Sequence, residues 1–249
     1  MRGVAAVMRQ DVPQGLTRGE GSDITPFQTR VETVFFMTQQ QQEQGTRERL
    51  LEAAAEVFAE HGYEAATVRE ICRRAGANVA AVNYHFGGKE MLYASMLKHF
   101  MAVCAARHPL DAGTGPDSTP EERLYAFVRN LLYRIMGDDE AHGKLVAQET
   151  IDPSPAFDDI VHEFMLPVRA AVEDVVKAFL GQDAPEASVR ACAAGIVGQA
   201  MFYLQNRSIL ERLYHDLTYD NEGLDRMAES ITRFSLGGIA AWRFGGGEA

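Results

Sequence analysis

Cysteine is scarce in this 249-residue chain, and the three that occur are badly placed for cross-linking. Cys72, Cys104 and Cys192 are far apart and odd in number. They fit neither a disulfide framework nor a zinc site, and they suit a reducing cytoplasm. No run of eighteen apolar residues occurs, so no membrane-spanning helix and no membrane partner are expected. The apolar patch 34–37 is too brief for a signal-peptide core with its cleavage site. Catalytic signatures are also missing. There is no nucleophile elbow, no P-loop, no His-Glu-x-x-His and no dinucleotide fingerprint. His162-Glu163 lacks a second His at zinc-ligand spacing. The expectation is a protein that is not an enzyme and needs no cofactor and no metal.

Positive charge is in deficit, with a formal net charge of −11. The deficit is uneven. Residues 46–100 hold seven Lys/Arg and seven Asp/Glu, whereas 101–249 hold thirteen against twenty-three. The acidity therefore lies in the C-terminal part. Within 46–100, Arg47, Arg69, Arg73, Arg74 and Lys89 can form a local basic face. Phosphate neutralisation needs local cations rather than a basic whole chain.

What is present is helical periodicity. Leu50, Ala54, Val57 and Phe58 recur at helix spacing over 46–61, and Gly62 ends the run. A fourth helix is read from Gly88 to about Arg107, with Met91, Leu92, Met96 and Phe100 on its apolar stripe. Thr119 caps the next, with Pro120 at its first position. Further helices are expected at 139–151, 155–180, 185–214 and 221–243, with Pro167 kinking the second of these. The fold class is all-α: a helix-turn-helix unit over 46–100 and a larger helical body over 101–245. Residues 1–45 read as a disordered extension, either an arm adding contacts or sequence upstream of a true start at Met37.

The densest information lies in 67–92. Thr67 caps a helix, and Glu70 three residues later completes a capping box. Ile71 and Ala75 face inward, and Gly76 supplies the left-handed residue that ends the helix. Asn78 caps a second helix presenting Val79, Ala80, Ala81, Val82, Asn83 and Tyr84. This is helix-turn-helix spacing, with the second helix available to a DNA major groove.

With Gly62, Tyr63 and Ala66 upstream and His85, Phe86, Lys89, Glu90 and Leu92 downstream, the segment resembles the DNA-binding domain of TetR/AcrR-type transcriptional repressors. The family usually places Tyr where this chain has Asn83, and the aromatic here is one residue later, at Tyr84. The resemblance implies DNA contacts from Thr67, Arg69, Asn78, Val79, Ala80, Ala81, Asn83, Tyr84, His85 and Lys89. Thr67 and Lys89 stand at helix starts where phosphates bind. Asn83 can pair with adenine, and alanine methyls suit thymine methyls. Read without function, Thr67 and Asn78 are only caps and Tyr84 only packs.

In the body, Glu149 to Pro155, Phe164 with Pro167, and Gly198-Gln199 with Phe202-Tyr203 resemble the C-terminal domain of the CecR-like subgroup. Polar residues near apolar faces, namely His142, Glu149, His162, Gln199, Tyr203 and Asn206, are candidates for binding a small-molecule effector. Met136, Met165 and Met201 can line an adaptable cavity. The last two long helices are the expected homodimer surface. Gly195 and Gly198 there lie near Ala191, Ala194 and Ile196, and Leu204, Ile209, Leu210 and Leu213 extend the stripe. A second stripe runs through Ile231, Phe234, Leu236, Ile239 and Trp242. The resulting expectation is a cytoplasmic, ligand-responsive homodimeric repressor on a pseudo-palindromic double-stranded operator. The rivals are a helical protein-interaction module without DNA binding and, further off, a small-molecule enzyme in the body.

Overall fold

The computed structural model describes residues 26–137 and 140–245, with side chains described over 44–137 and 143–243. Among these, all regular structure is helical. The elements are α1 (Pro26–Ala65), α2 (Val68–Ala75), α3 (Val79–Phe86), α4 (Lys89–Arg107), α5 (Pro120–Met136) and α6 (Glu140–Ile151). Then come α7 (Phe157–Ile160), a π-helical turn (Val161–Met165), α8 (Leu166–Leu180), α9 (Glu186–Gln205), α10 (Arg207–Leu213) and α11 (Asn221–Gly245). Residues from Gly45 onward form one compact unit. Residues 26–45 of the expected 1–45 extension are helical; residues 1–25 lie outside the described residues.

Two hydrophobic cores organise the compact unit. The first is made by Leu50, Leu51, Val57 and Phe58 of α1, Ile71 of α2, Val82 and Phe86 of α3, and Leu92, Met96 and Leu97 of α4. Helix spacing puts these residues on one face of each short helix, and burial of those faces drives the docking. Met91, expected on the α4 stripe, is instead exposed, and Tyr93 takes the buried place. The second core joins α5, α8, α9 and α11 through Phe127, Leu132, Val176, Ile196, Leu224 and Ile231. Thr119 opens α5 with a complete capping box.

Two stretches of chain contribute to both cores. In α6 the adjacent residues Leu145 and Val146 belong to the first and second core respectively. Along 157–180, Ile160 and Met165 pack on the first core, while Val172 and Val176 pack in the second. The π-turn lies at the changeover. Leu166 N–H donates to the carbonyl of Val161, five residues back. The expected kink at Pro167 takes this form: proline has no N–H for the normal ladder, and a widened turn absorbs the break.

Gly62 breaks α1 with φ 75°, a left-handed conformation suited to glycine. A Cβ there would stand 2.9 Å from Nε2 of Gln148, at the movable end of that side chain, so the backbone conformation is the main demand for glycine. Among the described helices α9 is long and apolar enough to cross a membrane. Counting uninterrupted runs missed it, because Arg190 and Gln199 break the run without lowering the mean much. Its Val189, Cys192, Ala193, Ile196, Ala200 and Leu204 are buried in the second core.

Candidate nucleic-acid interface

Local chemistry fixes the pair α2–α3. The extended backbone of Thr67 directs its hydroxyl to accept from Glu70 N–H at 3.2 Å. Gly76 (φ 61°) then closes α2 in a Schellman arrangement, with Gly76 N–H on Arg73 O and Ala77 N–H on Cys72 O. Asn78 caps α3 by accepting from Ala80 N–H at 2.9 Å. Val82 and Phe86, one turn apart, anchor α3 inward. The opposite face is open: Val79, Ala80, Asn83 and Tyr84 are exposed, Tyr84 by 70%. The side chain of Asn83 has no partner among the described residues. Ala81, expected to face outward with Ala80, is half-buried against the first core. The methyl-bearing outward positions are therefore Val79 and Ala80.

The capping box expected at Thr67 is only half made. The Glu70 carboxylate accepts instead from Arg73 Nε (2.8 Å) and Nη2 (2.6 Å) and from Arg74 Nε (3.0 Å). Those two guanidinium groups hold its pKa down to about 2. Arg74 also donates to both oxygens of Glu60, at 2.8 and 2.6 Å. The five-cation basic face is thereby corrected. Arg73 and Arg74 are committed to carboxylates, leaving Arg47, Arg69 and Lys89. Arg47 lies over the Phe86 ring at 5.3 Å. Lys89 sits over Tyr63 at 4.6 Å and donates to Glu64 O at 3.1 Å, so its ammonium is held in place beside the start of α4. Arg69 is exposed. His85 is half-buried at the end of α3, its ring edge-on to Tyr84 at 4.9 Å. Of the ten expected DNA contacts, Thr67, Arg69, Asn78, Val79, Ala80, Asn83 and Tyr84 are exposed, and Ala81, His85 and Lys89 are half-buried.

Of the six expected effector residues, five have described side chains. Glu149 is 3% exposed and accepts from Tyr93 O–H (2.6 Å), Ser154 O–H (2.9 Å) and Ser154 N–H (3.3 Å). It is a structural link from α6 to α4, with its carboxylate fully engaged. Burial and this carboxylate raise the Tyr93 pKa, so the phenol stays a donor. Gln199 bridges α9 to α11 through Ser235 Oγ at 3.1 Å. Tyr203 lends its carbonyl to Tyr219 O–H at 3.2 Å. Asn206 ends α9 by bonding back to Phe202 O. His162 is exposed in the π-turn, and the side chain of His142 lies outside the described residues.

A cavity of about 330 Å³ opens elsewhere, between α5, α6, α9 and α10. Ile135, Met136, Ala147 and Leu204 supply apolar walls, and Lys144, Arg207, Ser208 and Glu211 the polar rim. Arg207 pairs with Glu211 at 2.8 Å. Met136 was expected in such a cavity; Met165 packs on the first core and Met201 on the second. The rim residues were missed because 185–214 reads as one helix. The bend at Asn206 (φ −105°, ψ 14°), which opens the space, has no strong breaker residue to announce it.

The expected dimer stripes are also redistributed. Ile196, Leu204, Leu210, Ile231 and Ile239 are buried within the monomer. The outward strip of α9 is Ala191, Ala194, Gly195, Gly198 and Phe202. That of α11 is Phe234, Gly237, Gly238, Ala241 and Trp242.

Residues 50–96 match the family described as bacterial regulatory proteins, tetR family. Residues 120–239 match the C-terminal domain of the HTH-type transcriptional dual regulator CecR. The chain is 28% identical over 198 residues to CecR of Shigella flexneri, covering 75% of this chain and 87% of that protein. It is 40% identical over 88 residues to the HTH-type transcriptional regulator SrpR of Pseudomonas putida, covering 35% of this chain and 38% of that protein. Among solved structures, FadR from Bacillus subtilis in complex with stearoyl-CoA has a similar fold. Its TM-score is 0.58 at 19% identity, covering 77% of this chain and 98% of that one.

Proposed function

The chain belongs to the TetR family of bacterial regulatory proteins, with a C-terminal domain of the CecR type, and from that premise we propose a homodimeric repressor that an effector releases from its operator. The observation that carries the reading is the open face of α3, where exposed Val79, Ala80, Asn83 and Tyr84 back onto buried Val82 and Phe86. A helix so mounted can enter a major groove without unfolding its own support. In this reading Arg47 and Lys89 neutralise flanking phosphates, Arg69 reaches toward the groove from α2, and Thr67, Tyr84 and His85 donate to the phosphate backbone.

The outward strips of α9 and α11 support self-association. Glycines and alanines permit close backbone approach, and Phe202, Phe234 and Trp242 provide apolar area that would otherwise stay in water. A two-fold pair would set two α3 helices on half-sites about one helical turn apart, or a multiple of it. The cavity beside α6 supports an effector site in the body. Its neighbour α6 reaches the first core through Leu145 and the Tyr93–Glu149 bond. An effector that binds one arrangement of α6 more tightly than another shifts the population of DNA-competent dimers.

The test is a gel shift with DNA from upstream of the protein's own gene at two salt concentrations, with sedimentation to count subunits. The expected result is a salt-sensitive dimer complex. Lys89→Ala should weaken every duplex alike and reduce the salt slope. A strictly monomeric protein with no affinity for any duplex would sink the proposal.

A further inference from the structure

The open face of α3 carries a specific chemical deficit. Its sequence, Val79 to Phe86, contains no lysine or arginine. The commonest way of reading guanine is a bidentate Arg or Lys on O6 and N7, and α3 cannot make it. What the face does offer is one free carboxamide, Asn83, and two sets of methyls, on Val79 and Ala80, all exposed. A carboxamide combines one donor and one acceptor on a planar fork, which matches N6–H and N7 of adenine. Methyls match the C5-methyl of thymine.

The spacing links the two. Val79, Ala80 and Asn83 lie at i, i+1 and i+4 and share one face. From Val79 to Asn83 the helix rises about 6 Å. That is close to two base-pair steps of roughly 3.4 Å each. Tyr84, beside Asn83 and 70% exposed, fences this set on one side. Arg69, an exposed cation, stands on α2 and is not part of this set.

Resting on the DNA-binding reading above, we propose that each operator half-site is centred on A·T pairs, an adenine read by Asn83 and, within two steps, thymine methyls packed on Val79 and Ala80. Arg69 then supplies the guanine contact outside that centre.

The experiment uses the full chain. Duplexes are selected from a random pool, and the selected site is measured by fluorescence anisotropy with three replacements. Uracil for thymine at the centre removes only the methyl and should weaken binding several-fold. Replacing adenine by 7-deaza-adenine removes only N7 and should cost about tenfold. Asn83→Ala should abolish the sensitivity to 7-deaza-adenine while leaving the salt slope unchanged. Because the Asn83 side chain is exposed and has no hydrogen-bond partner among the described residues, this variant keeps its fold. Selected half-sites with G·C centres, or indifference to both base analogues, would overturn the proposal. If salt-sensitive binding to arbitrary duplexes persists in that case, the regulator reading stands and only the A·T assignment falls. Absence of binding to every duplex overturns both.

Discussion

In α2 and α3 each helix boundary is set by a residue acting locally: Thr67 and Asn78 cap starts, and Gly76 and Gly87 close ends in left-handed conformations. Between 156 and 207 the helix starts carry no side-chain cap. There, packing in the two cores holds the helices, and one boundary is a π-turn rather than a stop. The difference fits the two tasks proposed above. DNA has a fixed groove, so the angle between α2 and α3 must be fixed. A body that responds to an effector has to repack, and ends held only by packing can shift with it.

The largest test of the contrast is Phe86→Ala. Truncating this anchor should cost about 3–5 kcal/mol in urea unfolding and abolish DNA binding, although no outward residue changes. Phe202→Ala, on the exposed strip of α9, should leave the folded monomer nearly as stable and weaken self-association in sedimentation. Equal losses of stability would erase the distinction between anchor and outward strip. Next in size, Glu149→Ala removes a buried acceptor of three hydrogen bonds and leaves the Tyr93 phenol unpaired. About 2 kcal/mol should be lost in the same assay, along with the effector's influence on DNA binding. Undiminished effector response would show that the two cores communicate by another route. Thr67→Ala and Asn78→Ala should each cost about 1 kcal/mol, read as a lower unfolding midpoint with unchanged slope.

The smallest expected effect is pH-dependent. Glu70 has its pKa depressed from 4.5 to about 2 by Arg73 and Arg74. A depressed carboxylate contributes stability above its unfolded pKa and loses it as pH falls through the folded one. Comparing Glu70→Gln with the parent by melting temperature should show a small deficit near pH 6. The deficit should shrink below pH 4.5 and vanish near pH 2. A deficit that grows on acidification would contradict the sign. Because the Glu70–Arg73–Arg74 cluster is partly exposed, salt should screen it in part.

The legibility of the chain follows the same contrast. Caps and left-handed glycines act over three or four residues, so Thr67, Gly76 and Asn78 could be read directly, and the helices of the body fell close to their observed spans. What distant residues decide was not legible. Glu70 looked like half of a capping box, but Arg73 and Arg74 compete for it, and an ionic bond outweighs a reciprocal cap. Glu149 looked like an effector ligand, a buried carboxylate in a helical body; its partner Tyr93 is fifty-six residues away. The dimer stripes mixed inward and outward residues, because periodicity gives a face but not which of two apolar faces meets the core.

By itself the sequence determined that the chain is helical, where most helices begin and end, and that α3 is a short helix with a cation-free polar face. Those properties depend on backbone geometry and on neighbours within a turn or two. Only the tertiary structure decided which arginines remain unpaired, that Glu149 ties α6 to α4, that a bend at Asn206 opens a cavity, and which strips of α9 and α11 face outward. Each of these depends on groups far apart in the chain meeting in space, and burial and hydrogen bonding settle there which partner prevails.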